Sequence, residues 1–305
     1  MVLYDSMLLL AEIFALFFKI PYYICKGVYK LFAPVKRKSV ADEIVLVTGA
    51  GHGIGKELAI GYALLGATVI CWDINEETNE QTKNEIKEMG KDSVYAYRCD
   101  ITDREEVSRV AEKVKKEVGD ITILINNAGV ATIKTCLNHS NDEITRIINV
   151  NFIAHYWTLR AFLPSMIEKN HGHIVAVSSL LALVTSMYTT VYSPTKSAVR
   201  ILMNSLSEEL RLSSKGKSLI KFTTIFPALV FNALPFKPIM RFPSLIPSLS
   251  PKQAASLIID AQRQNCREKS LPSHFLLLLT LMGYLPNKVQ QRLKDFVGMS
   301  AEPDD

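Results

Sequence analysis

A short glycine-rich segment limits what this chain can fold into more than any other feature, because it joins a strand pattern to a helix pattern. Residues 44–47 are apolar and mostly β-branched, they lead directly into Thr48-Gly-Ala-Gly-His-Gly-Ile-Gly55, and a helical pattern then continues through Leu65. Glycines there allow a tight turn and a close approach of backbone to a pyrophosphate, while the helix amino terminus favours the phosphate charge. The pattern predicts a dinucleotide-binding loop, with Gly49, Gly53, Ile54 and Gly55 as the candidate contact residues.

An acidic residue at the end of the next predicted strand indicates which dinucleotide is bound. The strand 67–72 leads into Asp73, about 20 residues past the loop, where a carboxylate can accept hydrogen bonds from both ribose hydroxyls. Its charge repels a 2′-phosphate, and His52 is not the arginine or lysine that would offset this repulsion. The sequence therefore favours NAD over NADP as the cofactor.

Strand and helix patterns continue to alternate along the chain. Helices are predicted near 76–89 and 103–118, and strands at 93–98 and 121–125. This repetition is typical of an α/β fold with a Rossmann-type, doubly wound parallel sheet. Asp100 follows the third strand, where it would either meet the adenine ring or cap the next helix. Asn127, in Asn126-Asn-Ala-Gly129, would either brace the sheet or line the cofactor crevice.

The composition limits the class of protein. A chain of 305 residues with 48% hydrophobic and 21% charged residues fits one α/β domain with appendages. Its net charge of +5 is too small to indicate nucleic-acid binding. The five cysteines are odd in number and contain no Cys-x-x-Cys pair, so neither a disulfide framework nor a metal site is predicted. A reducing, cytosolic environment fits best.

A serine, a tyrosine and a lysine in the second half of the chain are candidates for catalysis. Tyr192 follows Ser179 by thirteen residues, and Lys196 lies one helical turn further on. Pro194 is tolerated only in the first turn of a helix, so the helix is predicted to begin close to Tyr192. An ammonium about 4 Å from the phenol could favour phenolate by up to about 4 kcal/mol, which would lower the tyrosine pKa by about three. Taken alone, the Tyr–Lys pair fits the edge of an ordinary amphipathic helix equally well.

These motifs together resemble the short-chain dehydrogenases/reductases, over residues 44–273. The matching segments are the glycine loop, Asn126-Asn-Ala-Gly129, Asn149-Val-Asn151, Ser179, and Tyr192 with Lys196. Within that family, Trp72-Asp-Ile-Asn75 and Asn170-His-Gly-His-Ile174 are similar to the membrane-associated 17-beta-hydroxysteroid dehydrogenases of the type 11 and 13 kind and to the epidermal retinol dehydrogenases. The resemblance implies a Rossmann fold, a homodimer, and lipophilic alcohols as substrates.

The resemblance also implies a role for each candidate catalytic residue. Tyr192 would be the acid/base, Ser179 would hold the substrate oxygen, and Lys196 would bind the nicotinamide ribose and lower the tyrosine pKa. Asn151 would hold a water for proton relay. From the residues alone, Ser179 equally fits a turn at a strand end, and Asn151 a helix hydrogen bond.

Two departures from the family pattern concern the walls of the site. Where the family has Pro-Gly and then a threonine, this chain has Pro227-Ala-Leu-Val-Phe-Asn232, so Asn232 is the candidate replacement for the threonine. Where the family has a glycine soon after the serine, it has Leu180-Leu-Ala-Leu-Val184. The stretch 227–250 is rich in proline and apolar residues and is interpreted as a substrate lid, or alternatively as a surface that packs on a dimer partner.

Residues 1–38 are interpreted as a membrane anchor. The apolar run 7–18 is interrupted by Glu12, and is shorter than the roughly 20 residues of a spanning helix. Asp5, Glu12, Lys19 and Lys26 recur every seven residues, which would form one charged stripe on a helix lying in the membrane interface. A shallow hairpin broken at Pro21 is the alternative. In either case the catalytic domain would face the cytosol, on the endoplasmic reticulum membrane or on lipid droplets.

The chain beyond residue 273 forms an apolar and amphipathic extension. The run 275–285 is too short to span a bilayer, and fits either a membrane contact or a part of the core. Val289, Leu293 and Phe296 predict a short amphipathic helix.

The sequence thus favours an NAD-dependent oxidoreductase of lipophilic alcohols, with retinol as the first choice of substrate and a 17-hydroxysteroid as the second. The alternative is a non-catalytic lipid-droplet or membrane scaffold that retains the dehydrogenase fold.

Overall fold

A computed structural model describes the chain apart from residues 1, 33–35, 232–237, 240, 243–246, 299 and 302–305. The chain divides into two compact units, Met1–Lys38 and Ser39–Asp305. Asn232 and much of the predicted lid lie outside the described residues.

The second unit is built on one parallel sheet of seven strands. Its strands are β1 (Ile44–Thr48), β2 (Thr68–Asp73), β3 (Val94–Arg98), β4 (Ile123–Asn126), β5 (His173–Val177), β6 (Lys221–Pro227) and β8 (Glu268–Leu271). They lie in the order β3-β2-β1-β4-β5-β6-β8, and every pairing is parallel. Two short segments, β7 (Pro238–Ile239) and β9 (Ser300–Ala301), pair separately and antiparallel. The strand order reverses between β1 and β4, which is where ligands bind in open α/β sheets.

Helices cover both faces of this sheet. In chain order they are α2 (Gly53–Leu64), α3 (Glu76–Glu88), α4 (Arg104–Glu117), α5 (Asn141–Ile148), α6 (Ala154–Glu168), α7 (Tyr192–Ser213), α8 (Pro251–Arg263), α9 (His274–Met282) and α10 (Asn287–Val297). The predicted doubly wound fold is confirmed, and the predicted elements agree with the observed ones to within a few residues at each end.

Two apolar cores explain why the strand sequences are almost continuously hydrophobic. Val45 and Val47 of β1 belong to the core on one face of the sheet, and Leu46 belongs to the core on the other. Strands of a parallel sheet with helices on both faces are buried on both sides, so neither face of the strand is polar. The sheet is therefore a rigid base for the loops at its carboxyl edge.

The first unit is one long helix, α1 (Val2–Phe32), which continues through Pro21. A hairpin broken at that proline is therefore not observed. Within α1, residues Ser6–Gly27 are long and apolar enough to cross a membrane, by length and composition. This apolar segment is longer than the run 7–18 expected from the sequence. It extends to Gly27 because the residues that follow Lys19 are again mostly apolar.

Candidate active site

A cavity of about 440 Å³ opens at the carboxyl ends of the central strands. It is lined by most of the residues expected to form the site: Gly49, Gly53, Ile54, Gly55, Asp73, Asp100, Asn127, Ser179, Tyr192 and Lys196. Residues separated by more than 140 positions in the sequence thus share one cavity, because the parallel strands all end at the same edge of the sheet.

The glycine loop is held in place by the end of strand β4. Gly49 and Gly53 have positive φ angles of 68° and 57°, a conformation that favours glycine. The side-chain amide of Asn127 donates hydrogen bonds to the carbonyl oxygens of Thr48 at 2.9 Å and Gly49 at 3.3 Å. A Cβ at Gly55 would lie 1.9 Å from the Gly49 carbonyl oxygen. Asn127 therefore both lines the cavity and fixes the loop, so both interpretations of its amide hold.

Asp73 is buried beside the glycine loop at the end of β2. Its carboxylate accepts hydrogen bonds from the backbone amides of Gly51 at 2.8 Å and Asn75 at 2.9 Å. An ionised carboxylate has about four acceptor positions, so these two bonds leave capacity for a ligand hydroxyl. The neighbouring Ile74 is exposed and lines the same cavity.

Asp100 does not cap the following helix. Its carboxylate accepts hydrogen bonds from the amide and the hydroxyl of Thr102, at 2.9 Å and 2.7 Å. Asp103 caps α4 instead, by accepting from the amides of Glu105 and Glu106. The capping interpretation of Asp100 is wrong, and this residue faces the cavity within a local turn.

Ser179 and Tyr192 meet at the centre of the cavity. Ser179 follows β5 and begins the short 3₁₀ turn Leu180–Ala182, in which its hydroxyl accepts from the Leu181 amide at 3.1 Å. Tyr192 is the first residue of α7, as Pro194 led us to expect. Both side chains line the cavity, and the Ser179 hydroxyl lies close enough to Tyr192 to lower the pKa of the phenol. Ser179 therefore both shapes a turn at the strand end and contacts the tyrosine.

The ionisation of Tyr192 differs from the sequence-based expectation. Burial raises the pKa of Tyr192 to about 12, and the nearby Ser179 hydroxyl offsets only part of this rise. The ammonium of Lys196 lies 5.7 Å from the centre of the tyrosine ring and donates to the Val177 carbonyl oxygen at 3.0 Å. Burial also lowers the pKa of Lys196 to about 8. Removal of the phenol from water is the largest influence on Tyr192, so its pKa lies above the ordinary value and not below it as expected.

Asn151 lies in a π-helical turn, Asn149–Ile153, between α5 and α6. Its side chain is fully buried. The amide oxygen accepts from the Val130 amide and the amide nitrogen donates to the Val130 carbonyl, both at 2.8 Å. Such turns are rare and occur often at functional sites. In this structure Asn151 anchors the loop after β4 from behind the cavity.

Two further residues belong to the site although sequence reasoning missed them. His155 lies one helical turn beyond Asn151 and is 3% exposed, and its Nδ1 has no hydrogen-bond partner within the described part of the chain. Burial, with a smaller contribution from the charge of Lys196, lowers the pKa of His155 to about 3, so the ring is neutral. The four-residue spacing from Asn151 was the available signal. Arg146 also lines the cavity, but it is one of several charged residues on an amphipathic helix and carried no such signal.

With this site at the carboxyl edge of a doubly wound sheet, the chain belongs to the short-chain dehydrogenase family. The family model described as short chain dehydrogenase matches residues 43–233. The resemblance seen in the sequence is thereby confirmed, and the chain is an oxidoreductase of this class.

Curated relatives cover most of the chain. It is 40% identical over 263 residues to epidermal retinol dehydrogenase 2 of Mus musculus, covering 86% of this chain and 84% of that protein. It is 37% identical over 280 residues to 17-beta-hydroxysteroid dehydrogenase 13 of Homo sapiens, covering 92% and 91%.

Solved structures share the fold. A short-chain dehydrogenase/reductase from Burkholderia phymatum in complex with NAD has a TM-score of 0.71 at 22% identity, covering 81% of this chain and 94% of that one. A metagenomic short-chain oxidoreductase in complex with NADP has a TM-score of 0.62 at 26% identity, covering 76% and 96%. These neighbours hold different dinucleotides, so the fold alone does not choose between them.

Proposed function

We propose that this protein is an NAD-dependent oxidoreductase that interconverts a lipophilic alcohol and its carbonyl. The observation that carries the proposal is that Ser179, Tyr192 and Lys196 line the same cavity as the glycine loop. Oxidising an alcohol needs a proton acceptor at the hydroxyl, a hydride acceptor beside the carbon, and a second hydrogen bond that orients the substrate. The first and third requirements match Tyr192 and Ser179.

The residues at the strand ends fit a dinucleotide. Gly49, Gly53 and Gly55 line the cavity, and a Cβ at Gly53 would meet no atom within 4 Å. The start of α2 favours phosphate charge. We propose that Asp73 selects NAD, because its carboxylate would repel a 2′-phosphate and Ile74 beside it supplies no positive charge. Asn127, Asp100 and Lys196 complete the proposed cofactor contacts, and Asn232 is a further candidate.

The proposed chemistry is proton transfer at the Tyr192 hydroxyl. When bound, the nicotinamide ring accepts or donates the hydride, and its oxidised form adds a positive charge. Tyr192 takes the proton of the alcohol in oxidation and gives a proton to the carbonyl oxygen in reduction. Because burial holds the Tyr192 pKa near 12, the neutral phenol is the resting form, which suits proton donation. Ser179 holds the substrate oxygen beside it.

The substrate is proposed to be apolar because an apolar cluster lies directly beside Ser179 and reaches the cavity at Ala228. Leu180, directly after Ser179, is buried in a cluster with Phe226 and Phe275, against which Leu183 and Ala228 pack. The relatives named retinol dehydrogenase and 17-beta-hydroxysteroid dehydrogenase agree with a lipophilic alcohol. Retinol is our first choice and a 17-hydroxysteroid is the second.

Membrane attachment and self-association are part of the proposal. The membrane-capable helix α1 supports anchoring at the endoplasmic reticulum or a lipid droplet, with the catalytic unit in the cytosol. Exposed apolar side chains on α6 and α7, among them Tyr156 and Ile201, support a homodimer. Light scattering of the detergent-solubilised protein would measure its mass.

One assay tests the proposed activity. The purified full-length protein is given NAD with retinol, estradiol or a long-chain alcohol, and NADH formation is followed. Tyr192→Phe should reduce turnover by about two to four orders of magnitude, with NAD affinity nearly unchanged because the ring stays packed.

The matched control is Tyr95→Phe, which removes a hydroxyl from an exposed tyrosine of β3 outside the cavity. Its rate should equal that of the wild type. If the wild type binds NAD but turns over none of the alcohols, the non-catalytic scaffold is favoured. If Tyr192→Phe keeps most of the rate, Tyr192 is not the acid/base.

A further inference from the structure

Apart from His274 and Thr280, helix α9 consists of apolar residues, although only one side of it is buried. Phe275, Leu276 and Leu279 pack into the cluster that contains Leu180 and Phe226. On the other side, Leu277, Leu278 and Leu281 are 66%, 55% and 57% exposed. A helix at the surface of a globular protein normally carries polar residues on its outer side. Packing in the core therefore accounts for the apolar residues on the inner side of α9, but not for those on its exposed side.

The exposed side chains form one continuous face. Leu277, Leu278, Leu281 and Tyr284 follow the spacing i, i+1, i+4, i+7, which places them along one side of a helix and its final turn. Tyr284 is 84% exposed. We call these four residues the α9 face. Side chains with an apolar body and a polar tip, such as tyrosine, are favoured at the boundary between lipid and water.

The helix that follows the α9 face in the chain adds positive charge. Lys288 and Arg292 of α10 are exposed, and the two helices together carry one acidic residue, Asp295. α10 is tied to the end of α9, because the Gln290 side chain donates to the Leu285 carbonyl oxygen at 2.8 Å. Leucines and a tyrosine next to exposed cations match the acyl and headgroup layers of an anionic bilayer.

A bilayer fits this surface better than a second copy of the chain would. Two like-charged copies would bring Lys288 and Arg292 of one molecule towards those of the other, whereas anionic headgroups neutralise both. The chain also carries a helix long and apolar enough to enter a membrane, so lipid is an available partner. The inner side of α9 contacts the apolar wall next to Ser179, which connects the α9 face to the side of the site where an apolar substrate is expected.

We propose that the α9 face is a second membrane-contact surface, separate from α1, that inserts Leu277, Leu278, Leu281 and Tyr284 into an anionic lipid surface. This contact belongs to the catalytic unit itself. It does not depend on the proposed activity, because it can be measured without turnover.

The test reads the environment of the α9 face in the full-length protein. Leu281→Trp adds a tryptophan to the α9 face. Its emission is obtained by subtracting the emission of the wild type, which contains Trp72 and Trp157. The protein is reconstituted into phosphatidylcholine vesicles with and without phosphatidylserine, and with brominated lipid as a quencher. We expect the added emission to shift to shorter wavelength and to lose most of its intensity to the quencher, more strongly with phosphatidylserine. The quencher should have little effect on Leu219→Trp, an exposed leucine at the amino end of β6, on the opposite edge of the sheet.

Charge reversal separates the contribution of the basic residues. With Lys288→Glu and Arg292→Glu added to Leu281→Trp, phosphatidylserine should no longer increase the quenching. With Lys217→Glu and Lys221→Glu instead, at the amino ends of the strands, this increase should be unchanged. Quenching of Leu281→Trp no greater than that of Leu219→Trp would overturn the proposal. A blue shift that appears without vesicles and grows with protein concentration would also overturn it, because a second copy would then cover the face.

Discussion

At the scale of single residues, we attribute the choice of dinucleotide to two neighbouring side chains. Asp73 is buried and held by two backbone amides, whereas Ile74 is exposed beside it. We expect Asp73→Ser with Ile74→Arg to shift preference towards NADP, because the change removes the repulsion and supplies a guanidinium for the 2′-phosphate. The ratio of kcat/KM for NAD and NADP measures the shift.

Asp73 also holds the backbone of Gly51, so its removal could act through the loop. Asp73→Asn with Ile74 unchanged is the control, since it keeps one acceptor oxygen and removes the charge. It should weaken NAD binding without creating a strong preference for NADP. A wild type that already prefers NADPH would contradict the role given to Asp73.

Burial of the Lys196 ammonium lowers the free energy of unfolding by an amount that depends on pH. Burial lowers its pKa from 10.5 to about 8, a change that corresponds to about 3 kcal/mol. Below pH 8 both the folded and the unfolded chain carry this proton, so the full cost is present. Between pH 8 and 10.5 the unfolded chain binds the proton more strongly, so the wild-type free energy of unfolding rises with pH.

Lys196→Met should therefore lose stability relative to the wild type as the pH rises. The difference in free energy of unfolding, variant minus wild type, is expected to fall by up to about 3 kcal/mol between pH 8 and 10.5. Urea unfolding of both proteins across this range measures it. A difference that stays constant over the range would show that the buried lysine keeps an ordinary pKa.

At the scale of structural elements, the glycine loop depends on contacts between β1, α2 and β4. Gly55 lies on the first turn of α2, and its missing side chain lets the Gly49 carbonyl approach closely. We expect Gly55→Ala to displace the loop and to weaken NAD binding by at least about tenfold, since backbone must move to relieve the contact. Calorimetric titration with NAD gives the affinity.

Gly61→Ala on the same helix is the matched control. A Cβ there would meet only the terminal carbon of the Ile259 side chain, which can rotate away. NAD affinity should therefore be close to that of the wild type. An equal loss of NAD affinity in both variants would mean that α2 as a whole, and not the loop, responds to added side chains.

At the scale of the whole molecule, the chain combines a catalytic unit with a separate apolar helix. We expect residues 1–38 to target a fluorescent reporter to membranes, because Ser6–Gly27 is apolar and Lys36-Arg37-Lys38 favours anionic headgroups. Microscopy with fractionation measures the targeting. A reporter that stays soluble would contradict the anchor.

The orientation of the catalytic unit can be read from a natural sequon. Asn138 lies in the exposed turn Cys136–Asn138 and begins the sequence Asn138-His-Ser140. It would be accessible to glycosylation in the lumen. We expect the full-length protein from mammalian cells to show no change in mobility on glycosidase treatment. A glycan at Asn138 would place the catalytic unit in the lumen.

Much of the fold could be predicted because its signals are local. The alternation of apolar strand patterns with helical ones, the glycine loop and Pro194 near the start of α7 each act within a few turns of chain. Parallel strands then bring their carboxyl ends together, which is why residues as distant as Gly49 and Lys196 could be assigned to one site.

What only the tertiary structure decided is burial, because burial depends on segments far apart in sequence. It determined that burial raises the pKa of Tyr192, that Asn151 holds the loop after β4, and that burial keeps His155 neutral. It also separated the inner residues of α9 from the exposed ones. The sequence by itself determined the family, the fold and the positions of the reactive groups, since these follow from local pattern and spacing. The protonation states of these groups depend on how far the folded protein removes them from water.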